Sequence, residues 1–150
     1  MENYMEVKFK AISINEAFAR VCVASFCLSL NPSIDELTDI KTAVSEAVTN
    51  CVVHAYPNGN GEITLRCYFS DDGIVRIEIC DNGIGIEDFE KAKEPFFTTK
   101  PTEERSGMGF AVMESFMDSV ELEKNGDRGL KVTLTKKISR RKAIAVGEEC

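Results

Sequence analysis

The chain has 150 residues, of which 43% are hydrophobic and 29% are charged, a composition typical of one globular domain rather than of a disordered protein. The formal net charge is -7, which argues against direct nucleic-acid binding because nucleic-acid-binding proteins usually present a basic face. No apolar run approaches the ~20 residues of a membrane helix, and residues 1–6 lack the basic and apolar regions of a secretory signal. We therefore expect a cytoplasmic protein without a nucleic-acid or membrane partner.

Alternating apolar residues predict a strand over 5–12, and Ser13 with Glu16 has the spacing of a capping box that opens a helix over 14–29. Ser33 with Glu36 repeats this signal before a longer helix over 34–54. The remaining predicted elements are strands at 63–69 and 74–80 joined by a glycine turn, a short helix at 86–92, a mobile loop at 94–106, a helix at 107–118, and strands at 119–124 and 130–137.

This order of elements predicts an α/β (α+β) sandwich. Its sheet is expected to be mixed and mostly antiparallel, with the helices packed on one face. A doubly wound fold is not expected because strands and helices do not alternate. Six cysteines are present without a C-x-x-C pair, and we interpret them as reduced thiols, with metal or disulfide roles as the alternative. They are Cys22, Cys27, Cys51, Cys67, Cys80 and Cys150.

The second predicted helix carries the first candidate site. Glu46 and Asn50 lie four residues apart, so they project from one face, away from a predicted core stripe of Ile34, Leu37, Ile40, Val44, Val48 and Cys51. The small residues Ala43 and Ala47 on their side are expected to leave room for a ligand. A general base beside an oxygen ligand for Mg²⁺ is the functional interpretation, and a solvated carboxylate and amide is the alternative.

Two glycine-rich segments are the other candidates. Asp81-Asn82-Gly83-Ile84-Gly85 follows a strong strand, where a carboxylate suits the exocyclic amine of adenine and glycines permit close backbone approach. Ser106-Gly107-Met108-Gly109-Phe110 precedes a helix, whose exposed N–H groups favour phosphate. An ordinary turn and an ordinary helix start are the respective alternatives, and neither a P-loop nor a dinucleotide fingerprint is present.

Together, in this order and spacing, these segments resemble the GHKL (Bergerat) ATPases over about residues 33–136. Glu46 and Asn50 match the N box, and Asp81 to Gly85 match the first glycine box. Residues 94–100, which include Thr98, Thr99 and Lys100, resemble the start of the ATP lid, and Gly107-Met108-Gly109 resembles the second glycine box. Thr133 occupies a strand position where the family has a threonine near adenine.

Within that family the chain is most similar to the anti-sigma factor serine kinases, and among them to those of sporulation. The resemblance implies a homodimer that holds a sigma factor inactive and phosphorylates a serine of an anti-anti-sigma protein with ATP and Mg²⁺. The single histidine, His54, is interpreted as structural. The alternatives are a nucleotide-gated binding module without kinase activity, the general-stress anti-sigma kinase, and a catalytic domain of a histidine kinase.

The implied roles are specific. Glu46 acts as base, Asn50 holds Mg²⁺, Asp81 meets adenine, and Arg105 replaces a family glycine and meets the γ-phosphate. The remaining expected nucleotide contacts are Gly83, Gly85, Thr98, Thr99, Lys100, Ser106, Gly107, Met108, Gly109 and Thr133. We expect the kinase domain to span residues 1–138 and a polar tail to span 139–150.

Overall fold

A computed structural model of the chain describes residues 2–94 and 109–139. The strands are β1 (Asn3–Lys10), β2 (Glu62–Phe69), β3 (Ile74–Asp81), β4 (Ser119–Lys124) and β5 (Leu130–Lys137). The helices are α1 (Ile14–Cys27), α2 (Ile34–Asn50), α3 (Phe89–Ala92) and α4 (Gly109–Phe116). A 3₁₀ turn over Leu28–Leu30 follows α1, and a π-helical turn over Cys51–Ala55 follows α2.

The five strands form one sheet in the order β1-β2-β3-β5-β4, and every pairing is antiparallel. The predicted α+β architecture is confirmed, and the sheet contains no parallel pair in the part of the chain that is described. Alternate residues of the central strands are buried on one face, which the helices cover. The opposite face carries mainly polar and charged side chains.

The core lies between this covered face and the three longer helices, α1, α2 and α4. Side chains such as Leu65, Ile77 and Leu134 are fully buried there, together with Ile40 and Val48 of α2. Because α2 packs against both α1 and α4, it is the central helix of the layer. This position brings the end of α2 close to the end of β3.

The predicted capping box at the start of α1 is wrong. Ser13 already has helical dihedral angles, φ -56° and ψ -35°, and its side chain makes no capping hydrogen bond. Glu16 instead lies 3.5 Å from Arg20 in an ion pair within the helix. The spacing of Ser13 and Glu16 fits a capping box, but the backbone turns into the helix one residue too early for the hydroxyl to act as the cap.

The capping box of α2 is confirmed. Glu36 donates its backbone N–H to the Ser33 hydroxyl at 3.1 Å, and its carboxylate accepts the Ser33 N–H at 2.8 Å. The inclusion of Ile34 in the core stripe is wrong, since this side chain is 83% exposed. Ala43 and Ala47 are fully buried in the core, so they do not open a space for a ligand.

Several boundaries differ from the predictions. The short helix begins at Phe89, because the Asp88 side chain accepts the N–H of Lys91 and caps it there. The predicted loop at 94–106 and the start of the helix predicted at 107 fall almost entirely outside the described residues. Of the cysteines, Cys22, Cys27, Cys51, Cys67 and Cys80 are free thiols, as predicted, and Cys150 lies outside the described part. No helix within residues 2–94 and 109–139 is long and apolar enough to cross a membrane.

Candidate functional site

Asp81, the last residue of β3, is the centre of the candidate site. Its side chain points to the helix-covered face and is almost completely buried, with 2% of the residue exposed. Oδ1 accepts hydrogen bonds from the N–H of Gly83 at 2.9 Å and from the N–H of Leu130 at 3.2 Å. Oδ2 accepts one from the Cys51 thiol at 3.5 Å. The carboxylate is therefore held from three sides at the end of its strand.

Burial raises the pKa of Asp81 above its usual value, because a buried carboxylate loses hydration. The hydrogen bonds from Gly83, Leu130 and Cys51 oppose this change, because each stabilises the charged form. In turn, burial and the nearby Asp81 carboxylate raise the pKa of the Cys51 thiol well above its usual value, so it stays protonated as the donor. The three described donors occupy three of the about four lone-pair sites of the carboxylate, and the remaining one is suited to accept a hydrogen bond from a ligand amine.

The glycine loop after Asp81 packs directly on the π-helical turn that follows α2. Ile84 donates its N–H to the carbonyl oxygen of Ala55 at 2.9 Å. A Cβ placed on Gly83 would lie 2.0 Å from the same oxygen, which no side chain can tolerate without a shift of the backbone. Glycine at 83 is thus required by the close approach of two backbone segments, and the loop is fixed relative to α2.

The turn between β4 and β5 clamps this loop from the other side. Asn125 donates its side-chain amide to the carbonyl oxygen of Asp81 at 2.8 Å, and Arg128 donates from Nε to the carbonyl oxygen of Gly83 at 3.2 Å. Gly129 adopts a φ of +101°, and a Cβ there would lie 2.0 Å from the Asp81 carbonyl oxygen. These contacts make the β4–β5 turn part of the support of the candidate site.

Tyr56 supports the loop from a third direction. Its hydroxyl accepts the N–H of Asn82 at 2.8 Å and donates to the carbonyl oxygen of Glu62 at 2.6 Å. The tyrosine thus ties the loop to the start of β2. The sequence motifs assign no role in the site to Tyr56, Asn125, Arg128 or Cys51, because their roles depend on tertiary pairing that local patterns do not encode.

The end of α2 brings Asn50 against the start of α4. A Cβ placed on Gly109 would lie 2.9 Å from Asn50 Nδ2 and 3.2 Å from Oδ1, so the amide lies directly against this glycine. Nδ2 is buried and has no hydrogen-bond partner among the described residues. A buried, unpaired amide is costly unless a ligand completes its hydrogen bonds. Glu46 lies one turn earlier on the same helix and is half-buried.

The predicted residues therefore separate into those that the fold brings together and those that it does not. Asn50 meets Gly109, and Asp81 bonds to Gly83 and to Cys51, the neighbour of Asn50. Gly85 follows in the same loop, with a φ of +74°.

The structure does not bring Thr133 to Asp81. Thr133 of β5 pairs with Glu78 of β3, so its side chain lies on the sheet face that the helices do not cover. Leu130, which the sequence interpretation missed, is the β5 residue that lies beside Asp81. Six of the expected nucleotide contacts and the expected γ-phosphate contact fall outside the described residues and stay predictions: Thr98, Thr99, Lys100, Arg105, Ser106, Gly107 and Met108.

The oxygen donors at the end of α2 suit Mg²⁺ rather than a metal held entirely by protein. No group of three or more His, Cys, Asp or Glu side chains is arranged for a metal within residues 2–94 and 109–139. Mg²⁺ usually takes one or two protein oxygens and completes its shell with water and phosphate. The Asn50 side-chain oxygen is of the type that Mg²⁺ prefers, whereas its unpaired nitrogen is a donor that suits a phosphate oxygen.

Residues 12–136 match the family described as the histidine kinase-like ATPase domain. The chain is 55% identical over 138 residues to the anti-sigma F factor of Caldanaerobacter subterraneus, covering 92% of this chain and 96% of that protein. It is 52% identical to the anti-sigma F factor of Clostridium acetobutylicum over 139 residues, covering 93% and 96%. The corresponding protein of Bacillus licheniformis is 50% identical over 145 residues, covering 96% and 99%.

Solved structures share the fold. The crystal structure of the RsbU and RsbW domains of a Mycobacterium tuberculosis protein superposes with a TM-score of 0.66 at 20% identity, over 92% of this chain. This chain spans 32% of the length of that structure. A mycobacterial sensor histidine kinase, MprB, gives a TM-score of 0.55 at 21% identity, covering 70% of this chain and 74% of that one.

Proposed function

The chain belongs to the histidine kinase-like ATPase domain family and, within it, to the anti-sigma F factors, so it binds a nucleotide, and we propose that it is a cytoplasmic serine kinase that also inhibits a sigma factor. Its substrate would be a serine of an anti-anti-sigma protein, with ATP as the phosphoryl donor. The observation that carries the proposal is the buried Asp81 carboxylate, held by three donors beside the end of α2.

Adenine recognition is assigned to Asp81. Its carboxylate has about four lone-pair sites, and three are used by Gly83, Leu130 and Cys51. The fourth accepts the exocyclic amine of adenine, which guanine does not present at this position. The Ala55 carbonyl and the β4–β5 turn fix the loop, so the carboxylate is held in position before the base enters.

The phosphates and Mg²⁺ are assigned to the end of α2 and the start of α4. The Asn50 amide lies against Gly109, and its buried nitrogen has no hydrogen-bond partner among the described residues. A phosphate oxygen can accept from that nitrogen, and the amide oxygen can bind the cation. The N–H groups at the start of α4 add the positive end of a helix dipole. Mg²⁺, when bound, neutralises charge on the β- and γ-phosphates.

Glu46 is assigned as the base because it lies one turn from Asn50 on the same helix. The serine hydroxyl oxygen attacks the γ-phosphorus, and the bond from this phosphorus to the β–γ bridging oxygen breaks. The hydroxyl proton passes to Glu46, and ADP leaves. Arg105 is assigned to the charge on the γ-phosphoryl group.

The test measures ³²P transfer from ATP to the purified anti-anti-sigma protein. Glu46→Gln keeps the size of the side chain and removes proton acceptance, so the transfer rate should fall by roughly 10²–10⁴-fold while nucleotide affinity changes little. Asn50→Ala should lose Mg²⁺-dependent nucleotide binding together with transfer. Asp35→Asn, which removes an exposed carboxylate from the first turn of the same helix, is the matched control and should transfer phosphate normally.

Native transfer by Glu46→Gln would remove the base assignment. If wild-type protein also retained the sigma factor with ATP while phosphorylating nothing, a nucleotide-gated binding module would replace the kinase. A phosphothreonine product would restrict the proposal to a kinase of different acceptor specificity.

We also assign the exposed face of α1 to a homodimer. Ile14, Phe18 and Val21 are 76%, 48% and 58% exposed and follow one another at helical spacing on one face. A row of this kind is suited to pack against a second copy. Light scattering should report a dimer for the wild type and a monomer for Phe18→Asp, and a dimeric Phe18→Asp would place the interface elsewhere.

A further inference from the structure

Cys51 is a buried thiol with no part in the proposed phosphoryl transfer. It is 2% exposed, and its Sγ lies 3.5 Å from Oδ2 of Asp81, which is also 2% exposed. The two backbone donors to Asp81, Gly83 and Leu130, both reach Oδ1. Among the described residues, Cys51 is therefore the side chain that occupies the other carboxylate oxygen.

We propose that Cys51 is a positioning residue for adenine recognition, whose thiol fixes the direction in which Oδ2 of Asp81 offers its remaining lone pair. The inference rests on the assignment of Asp81 to adenine. The two backbone donors hold one carboxylate oxygen, Oδ1, and the Cys51 thiol holds the other, Oδ2, so that rotation about the Cβ–Cγ bond is restrained at both oxygens. One lone pair on Oδ2 then stays available to accept a hydrogen bond from a ligand.

The local backbone explains how a residue of the nucleotide helix reaches Asp81. The regular α2 helix ends at Asn50, and its Cys51 N–H is shared between the carbonyl oxygens of Ala47 and Val48. The chain then continues as a π-helical turn over Cys51–Ala55, a rare form that often occurs at functional sites. Asn50 and Cys51 are thus consecutive residues that serve the phosphate side and the adenine side of the same site.

The chemistry of a thiol suits this role. It is a weak donor that packs as a small apolar group, so it can stand in the core beside Ile and Val side chains without an additional polar partner. Alanine would keep the packing approximately and remove the donor, and serine would keep a donor of similar size.

The experiment compares two nucleotides and four proteins by calorimetry. ADP carries the exocyclic amine, and purine riboside 5′-diphosphate lacks it and is otherwise the same. The proteins are the wild type, Cys51→Ala, Cys51→Ser and, as matched control, Cys67→Ala. Cys67 is a buried thiol on β2. It pairs with Ile77 in the middle of β3, and not with Asp81 at the end of that strand.

The wild type should bind ADP more tightly than the analogue. Cys51→Ala should reduce ADP affinity by about threefold to tenfold, the loss expected for one hydrogen bond, with little change in affinity for the analogue. Cys51→Ser should keep most of the discrimination. Cys67→Ala should lose thermal stability like Cys51→Ala but keep the full discrimination between the two nucleotides.

The outcomes distinguish a failure of the adenine assignment of Asp81 from a failure of the role proposed for Cys51. If the wild type binds both nucleotides equally, the assignment of Asp81 to adenine fails, and the inference fails with it. If the wild type discriminates but Cys51→Ala discriminates equally well, the adenine assignment stands and the role of Cys51 is refuted. Equal losses for both nucleotides in Cys51→Ala would also refute it, since they would indicate a general loosening of the site.

Discussion

Replacement of Gly83 by alanine tests whether the glycine loop depends on its contact with the π-helical turn. The added Cβ would lie 2.0 Å from the Ala55 carbonyl oxygen, 2.5 Å from its carbon and 2.7 Å from the Ala55 Cβ. Two of these three atoms belong to the backbone, so no side-chain rotation relieves the clash. The loop and the turn must separate, and the 2.9 Å bond from Ile84 to Ala55 is lost with the separation.

The expected cost follows from these two effects. Overpacking of this kind costs about 1–3 kcal/mol, and loss of the buried hydrogen bond costs about 0.5–1.5 kcal/mol, which together give about 1.5–4.5 kcal/mol. For a chain of this length the midpoint of thermal unfolding should fall by about 3–18 °C. ADP affinity should fall as well, because the displaced loop carries the Asp81–Gly83 hydrogen bond.

Calorimetric unfolding and ADP titration of Gly83→Ala measure both quantities. Gly59→Ala is the control, since its Cβ would meet no atom within 4 Å. Its φ of +75° still carries a strain cost of about 1–2 kcal/mol, but ADP affinity should be unchanged. A Gly83→Ala protein with wild-type stability and wild-type ADP affinity would refute the close-contact argument.

Two further predictions concern charge in the nucleotide site. Arg105→Ala should weaken ATP binding or phosphoryl transfer more than ADP binding, because the guanidinium is assigned to the γ-phosphate. Equal losses for ATP and ADP in parallel titrations would contradict that assignment. The affinity for ADP should fall as the pH decreases through the raised pKa of Asp81, since the protonated carboxyl loses its acceptor role. This loss should begin above pH ~3.9, the usual pKa of aspartate. An ADP affinity that is constant down to that pH would contradict the prediction.

Local sequence signals predicted the elements of this fold well where local physics decides them. The Ser33–Glu36 pair marks the start of α2, and β4 and β5 begin and end at the predicted residues. Ser13 with Glu16 has the same spacing, but there the chain from β1 enters the helix already in helical conformation. A capping pattern therefore predicts that a helix starts nearby, and tertiary structure decides whether the cap forms.

The motifs single out Asp81 and Asn50 for the candidate site, but they do not identify the residues that support it. Asp81 and Asn50 were identified from motif and spacing, and the fold brings them to neighbouring ends of β3 and α2. The face on which Thr133 lies depends on the register between β3 and β5, and a shift of one residue in that register inverts it. Contacts from Cys51 and Asn125 depend on segments 30 and 44 residues distant from Asp81 along the chain, which no local pattern reports.

The central claim, that the Asp81 carboxylate recognises the adenine base, is tested most directly by ADP titration of Asp81→Asn. The amide would present a donor where the adenine amine needs an acceptor, so two donors would face each other unpaired. Asp81→Asn should be a folded protein, with a near-native circular dichroism spectrum, that shows no measurable ADP binding by calorimetry. Near-native ADP affinity in this folded variant would contradict the account.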